Sequence, residues 1–91
     1  MSAATEPEER RIRLKRLAMR ATHRGIREMD IILGRYTEQR LESLDEAGLA
    51  AFEAALTEND QDLYRWVTGQ DQPPADLQAI LRDIARIGCR R

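Results

Sequence analysis

Apolar residues recur at helical spacing along most of the chain, broken by short polar or glycine-containing stretches. Leu14, Leu17, Ala18 and Ala21 stand at i, i+3, i+4 and i+7, one stripe of a first helix. Met29, Ile32, Leu33 and Tyr36 form a second stripe, with Leu41 and Leu44 beyond it. Leu49, Phe52 and Leu56, beside Ala55, form the apolar face of a third helix. Leu63, Tyr64 and Val67 face inward on a short fourth, and Leu77, Ile80, Leu81, Ile84 and Ile87 line one side of a fifth. The polar residues between these runs supply start and stop signals. Thr5 and Glu8 have capping-box spacing, and Pro7 suits a first turn. Ser43 or Asp45 caps the third helix, and Asn59 or Asp60 the fourth; Asp60 reads most simply as a cap. Gly69 fits the position just past a helix end, residues 70–74 form a loop, and the last helix follows Pro73-Pro74. Gly88 closes that helix, where Arg86, Arg90 and Arg91 suit its C-terminal dipole. The pattern predicts an all-α fold, a compact single-domain bundle of five helices.

The first two stripes pose a question of length. A single helix over residues 5–44 would be about 60 Å long, whereas a compact domain of this size has a radius of gyration of about 12 Å. A rod would leave its own stripe in water, so the chain must bend. Gly25 is the expected corner, because a block of basic residues ends there and the apolar stripe changes phase. A glycine in a helix interior costs roughly 1 kcal/mol against alanine, a cost that a turn or a close backbone approach offsets. Gly34 is expected inside the second helix as a close-packing site.

Ninety-one residues make one domain, 1–91, with ends at 1–8 and 88–91 expected to be flexible. Aromatic residues are few and Val67 is the only valine, so the core must be built from Leu, Ile and Ala. The net charge of −1 disfavours bulk binding of nucleic acid. Charge is unevenly spread, however. Arg10 to Arg24 holds seven bases and no acid, while Glu38 to Asp62 holds eight acids against Arg40 alone. Two readings of this dipole stand: two solvated faces, or a basic segment that docks on an acidic partner. Cys89 has no partner for a disulfide, which fits a reducing compartment. No apolar stretch reads as a signal peptide or a membrane span, and acids in the first ten residues disfavour a transit peptide, so the expected location is cytoplasmic, without membrane insertion.

Catalytic chemistry finds little material here. His23 is the only histidine, no zinc-ligand spacing occurs, and no glycine-rich phosphate loop is present. The chain therefore reads as a non-enzyme that recognises a partner through its surface. The informative run is His23-Arg24-Gly25-Ile26-Arg27-Glu28-Met29-Asp30, centred on the predicted corner. Arg24 and Glu28 are four apart. They either pair within the chain, worth about 0.3–0.5 kcal/mol, or offer a forked donor and an acceptor to a partner brought close by Gly25. Trp66 reads first as core, and as an interface anchor if half-exposed.

These residues resemble a known family. Arg24-Gly25-x-x-Glu28 is similar to the R-G-x-x-E motif of the flavinator family of succinate dehydrogenase assembly factors, and the run from His23 to Tyr36 resembles its extended form. Asp60-x-Asp62-Leu63-Tyr64-x-Trp66 is similar to the family's acidic–aromatic segment. The resemblance covers about residues 11–85. It implies a five-helix assembly chaperone that binds the flavoprotein subunit of succinate dehydrogenase, or in some bacteria fumarate reductase. Such a factor promotes covalent attachment of FAD carried by that partner, without making the bond itself. It implies Arg24, Gly25 and Glu28 as the motif's functional residues, with Arg27 and Asp30 as flanking contacts and His23 at the interface. Tyr64 and Trp66 would form a secondary interface. No metal and no tightly bound cofactor is expected, and the free protein is expected to be a monomer. The competing class is a small helical DNA-binding regulator that uses the basic first helix.

Overall fold

The computed structural model describes residues 6–89, with side chains described from Glu9 onward. Five α-helices follow one another: α1 (Glu6–Thr22), α2 (Arg27–Arg40), α3 (Glu46–Leu56), α4 (Asp60–Val67) and α5 (Gln78–Gly88). Short 3₁₀ turns at Leu41–Ser43 and Ala75–Leu77 lead into α3 and α5. The expected Thr5–Glu8 capping box and the arginines at 90 and 91 lie outside the described residues. So do residues 1–5, which belong to the expected loose N-terminal end.

The caps follow from side-chain chemistry. Asp45 accepts from the Gly48 amide at 2.8 Å and starts α3. Asn59 accepts from the Asp62 amide at 2.8 Å and starts α4, so Asp60 is not the cap. An amide side chain at the preceding position took that role and left the Asp60 carboxylate for other work. Gly69, at φ +85°, ends α4 as expected.

Helix α2 is the axis of the bundle, packed against α1 on one side and α5 on the other. Its Met29, Ile32, Leu33 and Tyr36 are buried together with Leu17 and Ala21 of α1, Leu49 and Phe52 of α3, Leu63 and Val67 of α4, and Ile80, Leu81 and Ile84 of α5. Burying an aliphatic side chain of this size contributes about 1.5–3 kcal/mol, so the stripes read from sequence supply the core. Tyr36 and Phe52 stack with ring centroids 5.5 Å apart.

The close packing expected at Gly34 occurs instead at Gly88. A β-carbon on Gly34 would stand 3.5 Å from Thr22 Cγ2, an ordinary contact. One on Gly88 would stand 2.5 Å from the Ile32 carbonyl oxygen and 2.6 Å from its Cγ2. Gly88 is thus buried where the end of α5 crosses α2, and the absent side chain lets the two backbones approach.

Polar ties hold the outer helices. The Tyr36 hydroxyl donates to Asp83 at 2.7 Å, and Arg40 and Arg86 also donate to that carboxylate. Burial and the neighbouring carboxylate push the Tyr36 hydroxyl well above its ordinary pKa, so it stays protonated. Arg13 reaches Glu46 at 2.9 Å and Glu53 at 3.3 Å, and Arg20 lies 3.9 Å from Glu53. Arg10 donates to the Glu42 and Leu44 carbonyls at 3.1 and 2.6 Å. The basic and acidic segments therefore answer one another within the molecule.

Candidate functional site: the elbow and the cleft beside it

Helix α1 stops at Thr22 because its last carbonyls are taken by side chains. The Thr22 hydroxyl donates to the Ala18 carbonyl at 3.0 Å, and His23 Nδ1 donates to the Met19 carbonyl at 2.8 Å. That bond needs a hydrogen on Nδ1, and the side chain is otherwise exposed. Gly25 then adopts φ +117°, a left-handed conformation that residues with a β-carbon rarely take. Ile26 is extended and starts α2 without a side-chain cap. Asp30 pins the corner from within the helix instead: its carboxylate accepts the Arg24 amide at 2.9 Å. The expected bend at Gly25 is the bend observed.

Arg24 does not pair with Glu28. Its side chain turns inward and is only 12% exposed. Its Nε donates to Asp60, which is 14% exposed, while the two terminal nitrogens donate to the Leu56 carbonyl at 2.7 Å and the Glu58 carbonyl at 2.5 Å. The guanidinium closes the C-terminal end of α3, where the helix dipole favours a cation, and meets a carboxylate in the first turn of α4. The intrachain i, i+4 pair is thus replaced by a longer-range one. All three nitrogens are occupied within the fold, so the fork does not open outward.

Glu28 and Arg27 are exposed, and neither forms an ion pair among the described residues. Glu28 lines a cleft of about 460 Å³ with Ile26 on the elbow side and Gln61, Tyr64 and Arg65 on the α4 side. Arg65 is held by Asp62 and by Asp71 Oδ2 at 3.0 Å, so its charge is answered. The rim carboxylate of Glu28 has no such partner. The fold therefore brings the two separated motifs, residues 24–28 and 60–66, to one place.

Tyr64 and Trp66 do not share a surface, although the sequence suggested a joint interface. Two residues apart on a helix, they point about 160° apart. Tyr64 faces the elbow cleft, whereas Trp66, half-buried, lines a second cleft of about 620 Å³ with Gln70, Pro73, Leu81 and Arg82. Asp60 is the site residue that sequence reasoning missed. The signal was available in Asn59, a competing cap one position earlier.

Two further features bear on function. Of the seven bases from Arg10 to Arg24, four (Arg10, Arg13, Arg20 and Arg24) are engaged with oxygens of the same chain. Arg11, Lys15 and Arg16 form no such bond among the described residues. Cys89 contacts the Val67 carbonyl at 3.8 Å, and burial pushes its thiol above the ordinary value, which makes it a weak nucleophile at neutral pH. Among the described residues no cluster of three or more metal-ligating side chains occurs, and no helix is long and apolar enough to cross a membrane.

The class defined by these features is a small all-helical protein with a bent, charged elbow beside a shallow cleft. Comparison with known proteins makes the class specific: residues 15–87 match the family described as flavinator of succinate dehydrogenase, and the chain belongs to that family. It is 37% identical over 67 residues to a protein of Arabidopsis thaliana named succinate dehydrogenase assembly factor 2, mitochondrial, covering 74% of this chain and 36% of that one. It is 36% identical over 61 residues to the FAD assembly factor SdhE of Legionella pneumophila (strain Lens), covering 67% of this chain and 77% of that one. A Caenorhabditis elegans protein named succinate dehydrogenase assembly factor 2, mitochondrial, is 32% identical over 66 residues, covering 70% of this chain and 56% of that one. No solved structure matches the chain significantly.

Proposed function

We propose that this protein is an assembly factor that binds the flavoprotein subunit of succinate dehydrogenase, and of fumarate reductase where that enzyme is present. In this reading it promotes covalent attachment of FAD carried by the subunit. The bond-forming chemistry stays with the flavoprotein and its flavin, and the factor acts as a monomeric, non-catalytic chaperone in the cytoplasm. Membership in the flavinator family supports the reading. The observation that carries it to particular residues is the exposed Glu28 carboxylate, unpaired among the described residues, at the rim of a cleft, one turn from a glycine in a left-handed conformation. The open backbone at Gly25 lets a partner chain approach, and Glu28 offers it a charged acceptor. His23, Arg27 and Tyr64 extend this surface. Asp30 and Arg24 hold its shape from within.

The test is covalent flavin fluorescence of the succinate dehydrogenase flavoprotein in cells lacking the gene, complemented by the wild-type chain or by Glu28→Ala. The expected result is restoration by the wild type and not by the variant, with the variant folded by circular dichroism. Normal flavin attachment in the deletion strain would refute the proposal. The DNA-binding alternative draws no support from the structure, since on the basic first segment only Arg11, Lys15 and Arg16 lack a bond to another described residue, where steep salt-dependent binding needs about six or more phosphate contacts.

A further inference from the structure

The motif arginine and its acidic partner form a brace whose geometry has a functional consequence. Arg24 and Asp60 are 36 residues apart in sequence, and both are largely withdrawn from solvent. Arg24 also holds the Leu56 carbonyl at the end of α3 and the Glu58 carbonyl in the following turn. The guanidinium therefore fixes the α3–α4 corner against the elbow at three points. Helix α4 has only eight residues, too short to be stable without tertiary support. The same helix supplies Gln61, Tyr64 and Arg65, the far wall of the cleft whose near wall is Ile26 and Glu28. Asp60 also stands beside the elbow glycine: a β-carbon on Gly25 would lie 3.9 Å from Asp60 Oδ2. The contact at the start of this far wall is thus one largely withdrawn from solvent.

We infer that Arg24 and Asp60 are a pair of positioning residues, with Asp60 as necessary as the motif arginine, which hold the α4 wall at the spacing from Glu28 that the partner polypeptide requires. Arg24 then acts inside the molecule, and Glu28 with the exposed Gly25 backbone makes the contact. This inference rests on the assembly-factor reading for its partner, but the brace itself has a readout that does not.

The experiment is a double-mutant cycle with the full chain: Arg24→Ala, Asp60→Asn and the double variant, with Glu28→Ala as the contact reference. Affinity for the purified flavoprotein subunit is measured at a temperature where each variant is fully folded by its own melt. Backbone hydrogen exchange is followed in parallel without the partner. Each brace variant is expected to weaken binding about tenfold, and the double variant no more than either single one, because both remove one device. Exchange should rise across residues 60–67 in all three and remain at the wild-type level in Glu28→Ala. A role in global stability alone would leave the affinity of the folded variants unchanged and would overturn the inference. So would losses that add, or an Asp60→Asn variant that binds like the wild type while Arg24→Ala does not, since Arg24 would then touch the partner directly. Should Asp60→Asn not fold, Arg24→Lys replaces it; the lysine keeps the charge opposite Asp60 but cannot span both carbonyls, so intermediate affinity and exchange are expected and wild-type values overturn the brace. If the wild-type chain fails to bind the flavoprotein at all, the proposed function falls, and the exchange data still decide whether the brace orders α4.

Discussion

The same substitution should have opposite effects at two glycines of this bundle. At Gly88 an added β-carbon would lie 2.5 Å from the Ile32 carbonyl oxygen and 2.6 Å from Ile32 Cγ2, almost an ångström inside ordinary contact. The nearest atom is backbone within α2, so it cannot swing aside, and α5 must move off α2 at their crossing. Overpacking of this kind costs about 3 kcal/mol. Alanine's better helix propensity returns at most about 1 kcal/mol, leaving a net loss of about 2 kcal/mol for Gly88→Ala. At Gly34 the new β-carbon meets Thr22 Cγ2 at 3.5 Å, which needs no movement. Only the propensity gain remains, so Gly34→Ala should gain about 0.5–1 kcal/mol. In a domain of this size 1 kcal/mol shifts Tm by about 4–8 °C. Gly88→Ala should therefore melt about 8–16 °C below the wild type, and Gly34→Ala a few degrees above it, by far-ultraviolet circular dichroism. Urea titrations should show midpoints moving in the same directions with unchanged slopes. A Gly88→Ala protein that melts with or above the wild type would refute the close α2–α5 crossing. A Gly34→Ala protein that loses stability would show that the α1–α2 contact has no slack.

Other consequences follow from the elbow, the polar ties and the caps. Gly25→Ala has room for its β-carbon, yet must hold a left-handed backbone at a cost of about 1–3 kcal/mol; a lowered melting point with an unchanged urea slope checks this. Asp83 is partly buried, which by itself would raise its pKa, but donors from Tyr36, Arg86 and Arg40 outweigh this and hold it below the ordinary 3.8. Its folded value lies below its unfolded one, so its contribution is complete above the ordinary carboxylate range and is lost as pH falls through the depressed value. Asp83→Asn should accordingly be less stable than the wild type at neutral pH, with the gap closing under acid titration followed by urea midpoints; a gap that widens in acid would contradict the assignment. Asn59→Ala should cost about 1 kcal/mol through the lost α4 cap, measured as a shift in urea midpoint, because the Asp60 carboxylate is engaged with Arg24 and is not available to replace it.

The helices and most of their inward faces were legible in the sequence because a 3.6-residue period needs only local information. Met29, Ile32, Leu33 and Tyr36 had to share one side of whatever helix contained them, and that side had to leave water. The bend at Gly25 was legible for a related reason: a forty-residue rod could not bury its own stripe. Capping choices were narrowed to pairs of nearby residues, Ser43 or Asp45 and Asn59 or Asp60, but not resolved, since either member has the oxygen that a cap needs.

Decisions that depend on which helices meet were out of reach of the chain read by itself. Arg24 had an acid four residues away and paired instead with one thirty-six residues away, because the end of α3 and the start of α4 converge on the elbow and offer two carbonyls and a carboxylate at once. Gly34 and Gly88 look alike as isolated letters, and only the crossing of α2 and α5 separates an optional glycine from a required one. Tyr64 and Trp66 are neighbours in sequence and face different clefts. The sequence by itself determined the helices, their buried faces, the corner and the motif's family. Tertiary structure alone decided which charges turn inward and which, like Glu28, stay free at a surface, because ion pairs and close approaches are chosen by distance in space, not along the chain.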